Sequence, residues 1–318
     1  MKKYEKSEPA SHPGYLPEFK ISFLLPKHWL SWFGIFLLWL MMYLPSVVKN
    51  QIARGICFLS CKTNKKRYRI AKQNLQLCFP QKTAAEIEQM VGRFFYYKAR
   101  IFLDYAYVWF ASEKKLSRVY QVFNDDELQA IKKSDKKVIL LTCHMLGLDQ
   151  GSQALSFDNE IVSMVKAMKN PLLDWVIGRG RTRFNTHVYE RSYGLTGVIA
   201  SVKAGDQFIY LPDEDLTGGH SEFVPFFGVQ KSTITALGRL AKICDAKVVP
   251  FVSVFNDKTG VYEAHFLPSM SDYPSGDKMA DTLAMNQVFE KMILQAPEQY
   301  LWTFRYFQTR PAGEPAVY

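Results

Sequence analysis

His144 and Asp149 are the residues whose types and spacing carry chemistry, in the stretch Lys136–Gly151, KKVILLTCHMLGLDQG. A carboxylate against a histidine ring fixes its tautomer and stabilises its protonated form. Such a pair makes a general base able to take a proton from a hydroxyl. On one regular helix, five positions leave the two side chains roughly 140° apart. They meet only if His144 sits on a strand-to-helix turn and Asp149 on the first helical turn. The bland alternative is a satisfied histidine beside a helix-start aspartate. Cys143 adjoins His144 and raises a Cys/His dyad, but neighbours on a strand point to opposite faces.

The elements around the pair suit the first reading. Val138–Thr142 is short, apolar and β-branched in part, which reads as a buried strand. It delivers His144 to the C-terminal edge of a sheet, where open α/β sheets bind ligands. Beyond Asp149, strands are expected at Glu160–Lys166, Thr186–Tyr189, Gln207–Leu211, Val248–Phe255 and Val261–Leu267. Helices alternate with them: one capped by Asn170-Pro171 and ending in GRGRTR, then Thr196–Ala204, Thr233–Cys244 and Met279–Ala296. The alternation predicts an α/β sandwich with a largely parallel central sheet flanked by helices. Thr83-Ala84-Ala85-Glu86 is a capping box that opens a further, aromatic-rich helix.

Three regions divide the 318 residues: a polar tail over 1–28, a membrane-anchoring helix over 29–48, and an enzymatic domain over 49–318. Trp29–Val48 carries no charge, and Pro45 should end its helix near Leu44. Sixteen helical residues reach about 24 Å, short of the roughly 30 Å hydrocarbon core. The segment therefore spans with its flanks or lies in the interface. Lys49, Arg54, Lys62, Lys65, Lys66, Arg67, Arg69 and Lys72 follow it, which by the positive-inside rule puts the rest of the chain in the cytoplasm.

The net charge is +10, from 40 Lys+Arg against 30 Asp+Glu, which points to an anionic partner. Five cysteines form no CxxC pair, so neither a disulfide framework nor a zinc site is expected. A Gly-x-Ser-x-Gly elbow, a P-loop and a dinucleotide fingerprint are all missing from the sequence, which argues against a serine hydrolase and against nucleotide binding. The reading calls for no cofactor, no metal and no nucleic acid.

Several long collinear stretches resemble one family. KHWLSWFGIFLLWL, AKQNLQLCFPQ, the H-x4-D of His144 and Asp149, NPLLDWVIGRGRTRFN, YLPDED, EFVPFFG and APEQYLWTFRYFQTRP are similar to the late lauroyl/myristoyl transferases of lipid A biosynthesis in Gram-negative bacteria. The resemblance covers about Lys27 to Tyr318. It implies an inner-membrane enzyme with its catalytic domain facing the cytoplasm. It implies transfer of an acyl chain from acyl carrier protein onto a hydroxyl of a phosphorylated, Kdo-bearing glycolipid acceptor. It makes His144 the base and Asp149 its partner. Arg179 and Arg181 fall on the family's Gly-Arg-x-Arg stretch, Asp213 and Asp215 on its Pro-Asp-x-Asp loop, and Arg310 in its Thr-Arg-Pro ending; these five are the candidate substrate-binding residues. The chain departs at Phe304-Arg305-Tyr306-Phe307, where relatives often carry His-Arg-Arg-Phe.

The chemistry is consistent with that resemblance. A thioester is already activated, so hydroxyl attack needs a base and an oxyanion stabiliser rather than a covalent nucleophile. Two other readings remain open at this point. A glycerophospholipid acyltransferase shares H-x4-D but usually carries Phe-Pro-Glu-Gly-Thr-Arg where this chain has LPDEDLTGG. A non-catalytic, membrane-tethered binder of anionic lipid would use the charge alone.

Overall fold

The computed structural model describes residues 14–217 and 220–318; the first part of the polar tail and Gly218-Gly219 of the LPDEDLTGG loop lie outside the described residues. The chain begins with helices: α1 (Trp29–Met41), α2 (Ser46–Thr63), α3 (Lys65–Cys78), α4 (Ala84–Leu103), α5 (Tyr105–Phe110) and α6 (Glu113–Leu116). Then come β1 (Tyr120–Phe123), α7 (Asp126–Lys133), β2 (Lys137–Leu141), α8 (Leu148–Leu155), β3 (Ile161–Val165), α9 (Pro171–Arg181), β4 (Thr186–Glu190), α10 (Thr196–Ala204) and β5 (Gln207–Tyr210). A hairpin of β6 (Ser221–Phe226) and β7 (Val229–Ile234) follows, then α11 (Ala236–Cys244), β8 (Ala246–Asn256), β9 (Val261–Phe266) and α12 (Lys278–Gln295).

Seven strands form one sheet in the order β1-β9-β8-β2-β5-β3-β4, and β6 pairs with β7 alone. Within the large sheet only the β8–β9 pairing is antiparallel. The expected, largely parallel α/β sandwich is therefore the fold. Its central strand is buried on both sides, as parallel strands covered by helices must be. Ile139 and Leu141 of β2 pack with Val91, Phe94, Phe289 and Ile293 on one face. Val138 and Leu140 pack with Leu128 and Leu155 on the other.

Local signals set the helix ends. The Thr83 side chain accepts from the Glu86 backbone N–H while Glu86 accepts from that of Thr83, so α4 starts on a complete capping box. Asn170 accepts from the N–H groups of Leu172 and Leu173 at the start of α9. Gly205, at φ 121°, closes α10 in a conformation few side chains tolerate.

One expectation is corrected. Among the described residues, no helix is long and apolar enough to cross a membrane. Trp29–Val48 is not one helix: α1 has 13 residues, a turn follows, and Pro45 caps α2. Thirteen residues rise about 20 Å, two thirds of a hydrocarbon core. Ile35 of α1 is buried with Val108, Trp109, Leu172 and Val176 of α5 and α9, so one side of the helix belongs to the protein. The opposite side is bare: Leu30 is 83% exposed, Trp29 63% and Phe33 58%.

Candidate active site

The site is built where β2 and β5 end. The two strands are parallel neighbours with Leu141 opposite Tyr210, and the Thr142 N–H still donates to the Tyr210 carbonyl at 3.0 Å. His144 lies three residues beyond Leu141, and Asp213 three residues beyond Tyr210. Equal offsets from a shared register bring them face to face. His144 Nδ1 is 2.6 Å from Asp213 Oδ1, and the His144 backbone N–H donates to Asp213 Oδ2 at 2.9 Å. The Tyr300 hydroxyl donates to the same oxygen at 3.0 Å. Asp213 is fully buried, whereas the His144 side chain is 22% exposed.

The segment after α12 holds the histidine loop. The Leu146 N–H donates to the Gln299 carbonyl at 2.8 Å, and the Leu301 N–H donates to the His144 carbonyl at 2.9 Å. The Phe304 ring meets the imidazole edge-on, with centroids 5.1 Å apart. Tyr300 and Tyr306 stack at 4.8 Å behind Asp213.

Charges set the protonation of the pair. Burial alone pulls the His144 pKa down, but the Asp213 charge and hydrogen bond, helped by Glu214, outweigh it, and the net direction is up. Burial pushes Asp213 up, and the His144 contacts overcome this, so its carboxyl sits below the ordinary range. Glu214 Oε1 lies 3.3 Å from His144 Nε2, and its other oxygen is 3.8 Å from Arg191 Nη1. As imidazolium, the ring has a carboxylate at each nitrogen. As neutral imidazole, Nδ1–H stays on Asp213 and the Nε2 lone pair is the basic one.

Asp149 occupies the first turn of α8, as its spacing predicts. Its carboxylate is taken by Arg181, which donates from Nε and Nη2 at 2.9 Å each. Two close approaches allow this geometry. A Cβ on Gly151 would meet Ser253 at 2.4 Å, so glycine lets α8 lie against β8. A Cβ on Gly180 would meet Trp109 at 2.6 Å, so glycine lets the end of α9 reach the same place. Tyr105 is partly buried beside the Asp149 carboxylate, and its phenol pKa is raised by desolvation first and by that charge second. His144, Asp149 and Arg181 share the wall of a cavity of about 590 Å³, whose other surfaces include Met164, Leu195, Leu216 and Leu301.

A parallel sheet with a histidine–carboxylate pair at its C-terminal edge is compatible with many chemistries. The sequence profile of the bacterial lipid A biosynthesis acyltransferases matches residues 16–309. The chain belongs to that family. This lipid A acyltransferase is 33% identical over 304 residues to the lipid A biosynthesis lauroyltransferase of Escherichia coli (strain K12), spanning 95% of this chain and 99% of the relative. It is 31% identical over 302 residues to the palmitoleoyltransferase of the same strain, spanning 95% and 98%. It is 30% identical over 305 residues to the myristoyltransferase of that strain, spanning 96% and 94%. Acyl transfer in lipid A synthesis is thus its activity, and the glycerophospholipid and non-catalytic readings fall away.

Of the residues singled out from the sequence of this acyltransferase, His144, Asp149, Arg181 and Asp213 come together, in pairs other than the expected one. Asp213, expected among the substrate-binding residues, is the carboxylate at the imidazole; Asp149, expected there, is bound to Arg181. Arg179 is exposed and lies over the Trp175 ring at 5.8 Å. Asp215 accepts from the Thr309 N–H at 2.6 Å and hydroxyl at 2.8 Å, tying the C-terminal segment to the loop after β5. Arg310 donates to the Gln230 carbonyl at 2.8 Å and pairs with Glu314. The Cys143 thiol is fully buried, and burial pushes its pKa well up, which is the opposite of an activated nucleophile. Glu214, Arg191, Tyr300 and Phe304 were not singled out as site residues. Glu214, in the PDED loop next to a strand end, and Tyr300 and Phe304, in the stretch APEQYLWTFRYFQTRP, lay within motifs already singled out; Arg191 had no signal.

Proposed function

We propose that His144 is the general base, held by Asp213, in moving a fatty acyl chain from acyl carrier protein to a hydroxyl of a Kdo-bearing, phosphorylated lipid A precursor. The observation that carries this reading is Nδ1 against the buried Asp213, which leaves Nε2 as the basic nitrogen toward the cavity. His144 Nε2 takes the acceptor hydroxyl proton as that oxygen attacks the thioester carbonyl carbon. The C–O bond forms, negative charge passes to the carbonyl oxygen, and its return breaks the C–S bond. The proton on Nε2 then goes to the departing thiolate, and the ring is neutral again. Asp213 stabilises the imidazolium in between. Glu214 turns aside toward Arg191 to admit the hydroxyl.

Asp149 and Arg181 have a different part in this reading. The carboxylate fixes the guanidinium on the cavity wall as a fork suited to an acceptor phosphate. The leucines and Met164 offer the acyl chain an apolar lining. The test is transfer from acyl-loaded carrier protein, read by mass spectrometry of the lipid. His144→Ala should lose about 10²–10⁴-fold in rate, the usual share of a positioned base. Cys143→Ser should stay active. An active His144→Ala, or a folded but inert Cys143→Ser, overturns the assignment.

The site also has to meet a lipid acceptor. The N-terminal helical segment leaves Leu30, Trp29, Phe33, Ile21 and Val47 strongly exposed, with Lys20 and Lys27 close by in sequence. We infer that it rests in the headgroup region of the inner membrane, on the cytoplasmic side, without crossing it. Leu30→Glu with Phe33→Glu should lower sedimentation with anionic phospholipid vesicles at least tenfold and leave thermal stability unchanged. Undiminished sedimentation removes the inference.

A further inference from the structure

Lys231 is a buried cation that the acyl-transfer steps do not use. It sits on β7 with 1% of its surface exposed. Burying an ammonium is costly unless it is paired or well hydrogen-bonded. Among the described residues, its side chain donates one hydrogen bond, 3.5 Å to the Thr233 hydroxyl, and lies 5.7 Å from the Phe226 ring centre. That is poor compensation. Thr233 is itself shared with Asn286, which donates to its hydroxyl at 3.1 Å. The Phe226 ring beneath it packs 6.5 Å from the ring of Tyr300, whose hydroxyl donates to Asp213, so the ammonium lies on the Asp213 side of the core; the carboxylates that act on it are Asp213 first, then Asp215 and Glu214.

Asp213 presents the complementary difficulty. It is fully buried and accepts from His144 twice and from Tyr300 once. When His144 is protonated, the imidazolium balances it. When His144 is neutral, as a base must be, that balance is gone, and Tyr300 supplies only a dipole. The groups facing the pair are then Glu214 and Asp215 from the same loop, the Cys78 thiol at the end of α3, the Tyr300 and Tyr306 hydroxyls, Arg191, and Lys231. Arg191 is half-exposed and paired with Glu214. Lys231 is the buried cation.

We propose that Lys231 is a positioning residue whose ammonium balances the Asp213 carboxylate while His144 is neutral. It thereby keeps the imidazole from retaining its proton too tightly. Burial pulls its pKa down to about 8, and Asp213 and Asp215 resist that pull, so the ammonium is kept below that pH. The inference rests on the general-base reading above and extends it to a residue without substrate contact.

The experiment is the pH profile of kcat for acyl transfer in the full chain. In Lys231→Met, the acid limb should move up by about one pH unit, the scale of one nearby buried charge. Activity at pH 6 should then fall roughly tenfold against little change at pH 9, with KM for both substrates retained. Lys231→Arg should restore the wild-type limb. A role in packing alone would lower kcat equally at every pH, and that result overturns the inference. A second measurement needs no change at Lys231. With 13C-labelled histidine, the His144 resonance, assigned by its loss in His144→Gln, should show a second inflection near pH 8 as Lys231 loses its proton. A single inflection also overturns it. An active His144→Ala refutes the base assignment instead, whereas an inert His144→Ala with an unmoved limb in Lys231→Met refutes only the role of Lys231.

Discussion

Two aspartates in this protein are almost completely buried among charges, and their surroundings differ. Asp104, at the end of α4, accepts from Lys49 Nζ at 2.6 Å, from Arg100, and from the Tyr262 hydroxyl at 2.9 Å. Arg100 in turn donates to Asn50 at 2.8 Å and lies 4.7 Å from the Phe255 ring centre. This cluster fastens α2 and α4 to β9 and does not line the cavity. Asp213 also has three donors, but one is an imidazole at the cavity wall, and its buried lysine is left with one long hydrogen bond. A charge cluster that only holds a fold together satisfies each member with the others. On the proposed base assignment, the Asp213 cluster instead keeps a basic nitrogen within reach and leaves a cation whose balance depends on a proton.

Substitution of the two aspartates separates these cases, and the largest effect is expected at Asp213. Asp213→Asn keeps the shape but loses the charge and the tautomer control, so transfer should fall about 10³–10⁴-fold, with a smaller loss of stability than at Asp104 because the Lys231 left behind can give up its proton. Asp104→Asn should do the reverse. Lys49 and Arg100 would be left under-compensated in the interior, at a cost of about 3–5 kcal/mol in urea unfolding, while the folded fraction keeps its kcat. Matching losses of stability and rate in both variants would erase the distinction. The smallest effect is expected at Asp149. Asp149→Asn loosens Arg181 and should raise the acceptor KM several-fold, as loss of a bidentate charge partner does. It should leave the acid limb of kcat where the wild type has it, above the ordinary histidine value near 6.5. The sign follows from His144, whose raised pKa means the neutral base forms only at higher pH. By the same linkage, the His144–Asp213 contact adds stability that is complete below the ordinary histidine value while Asp213 stays ionised; it is lost as pH rises through the raised His144 pKa and again as pH falls through the lowered Asp213 pKa. A limb shifted by Asp149→Asn would return that residue to the imidazole.

The sequence showed much of the sheet because its strands are apolar runs between recognisable helix signals. β2, β3, β4, β5, β8 and β9 all fall on expected segments, within a residue or two at their ends. No strand was expected at β1, because four residues, Tyr120–Phe123, are too few to show a period. The β6–β7 hairpin was not expected, and its last two residues were placed in the helix Thr233–Cys244, for two reasons. Pro225 interrupts the first strand, and the turn is Phe227-Gly228, with Phe227 at φ 50°, rather than the Asn-Gly that marks such turns. Over Trp29–Val48 the absence of charge left a crossing and an interfacial reading open, with the helix expected to run to Leu44 before Pro45; the structure ends it at Met41. The partner of His144 was hidden for a different reason. Spacing reveals neighbours along the chain, such as Asp149, but Asp213 is 69 positions away and arrives through strand register. Lys231 gave no signal, since a lysine between Gln230 and Ser232 reads as solvated.

The segment Gln299–Thr309 grips the His144 loop and the loop after β5, and this bears on how the enzyme is made. During synthesis, β2 and β5 emerge long before residues 299–309 leave the ribosome. A nascent chain that has folded its sheet therefore carries His144 and Asp213 without Tyr300 on the carboxylate, Leu301 on the histidine backbone or Thr309 on Asp215. Competence should therefore arrive late in translation, and a product truncated before Gln299 is expected to be an idle enzyme rather than an unregulated one.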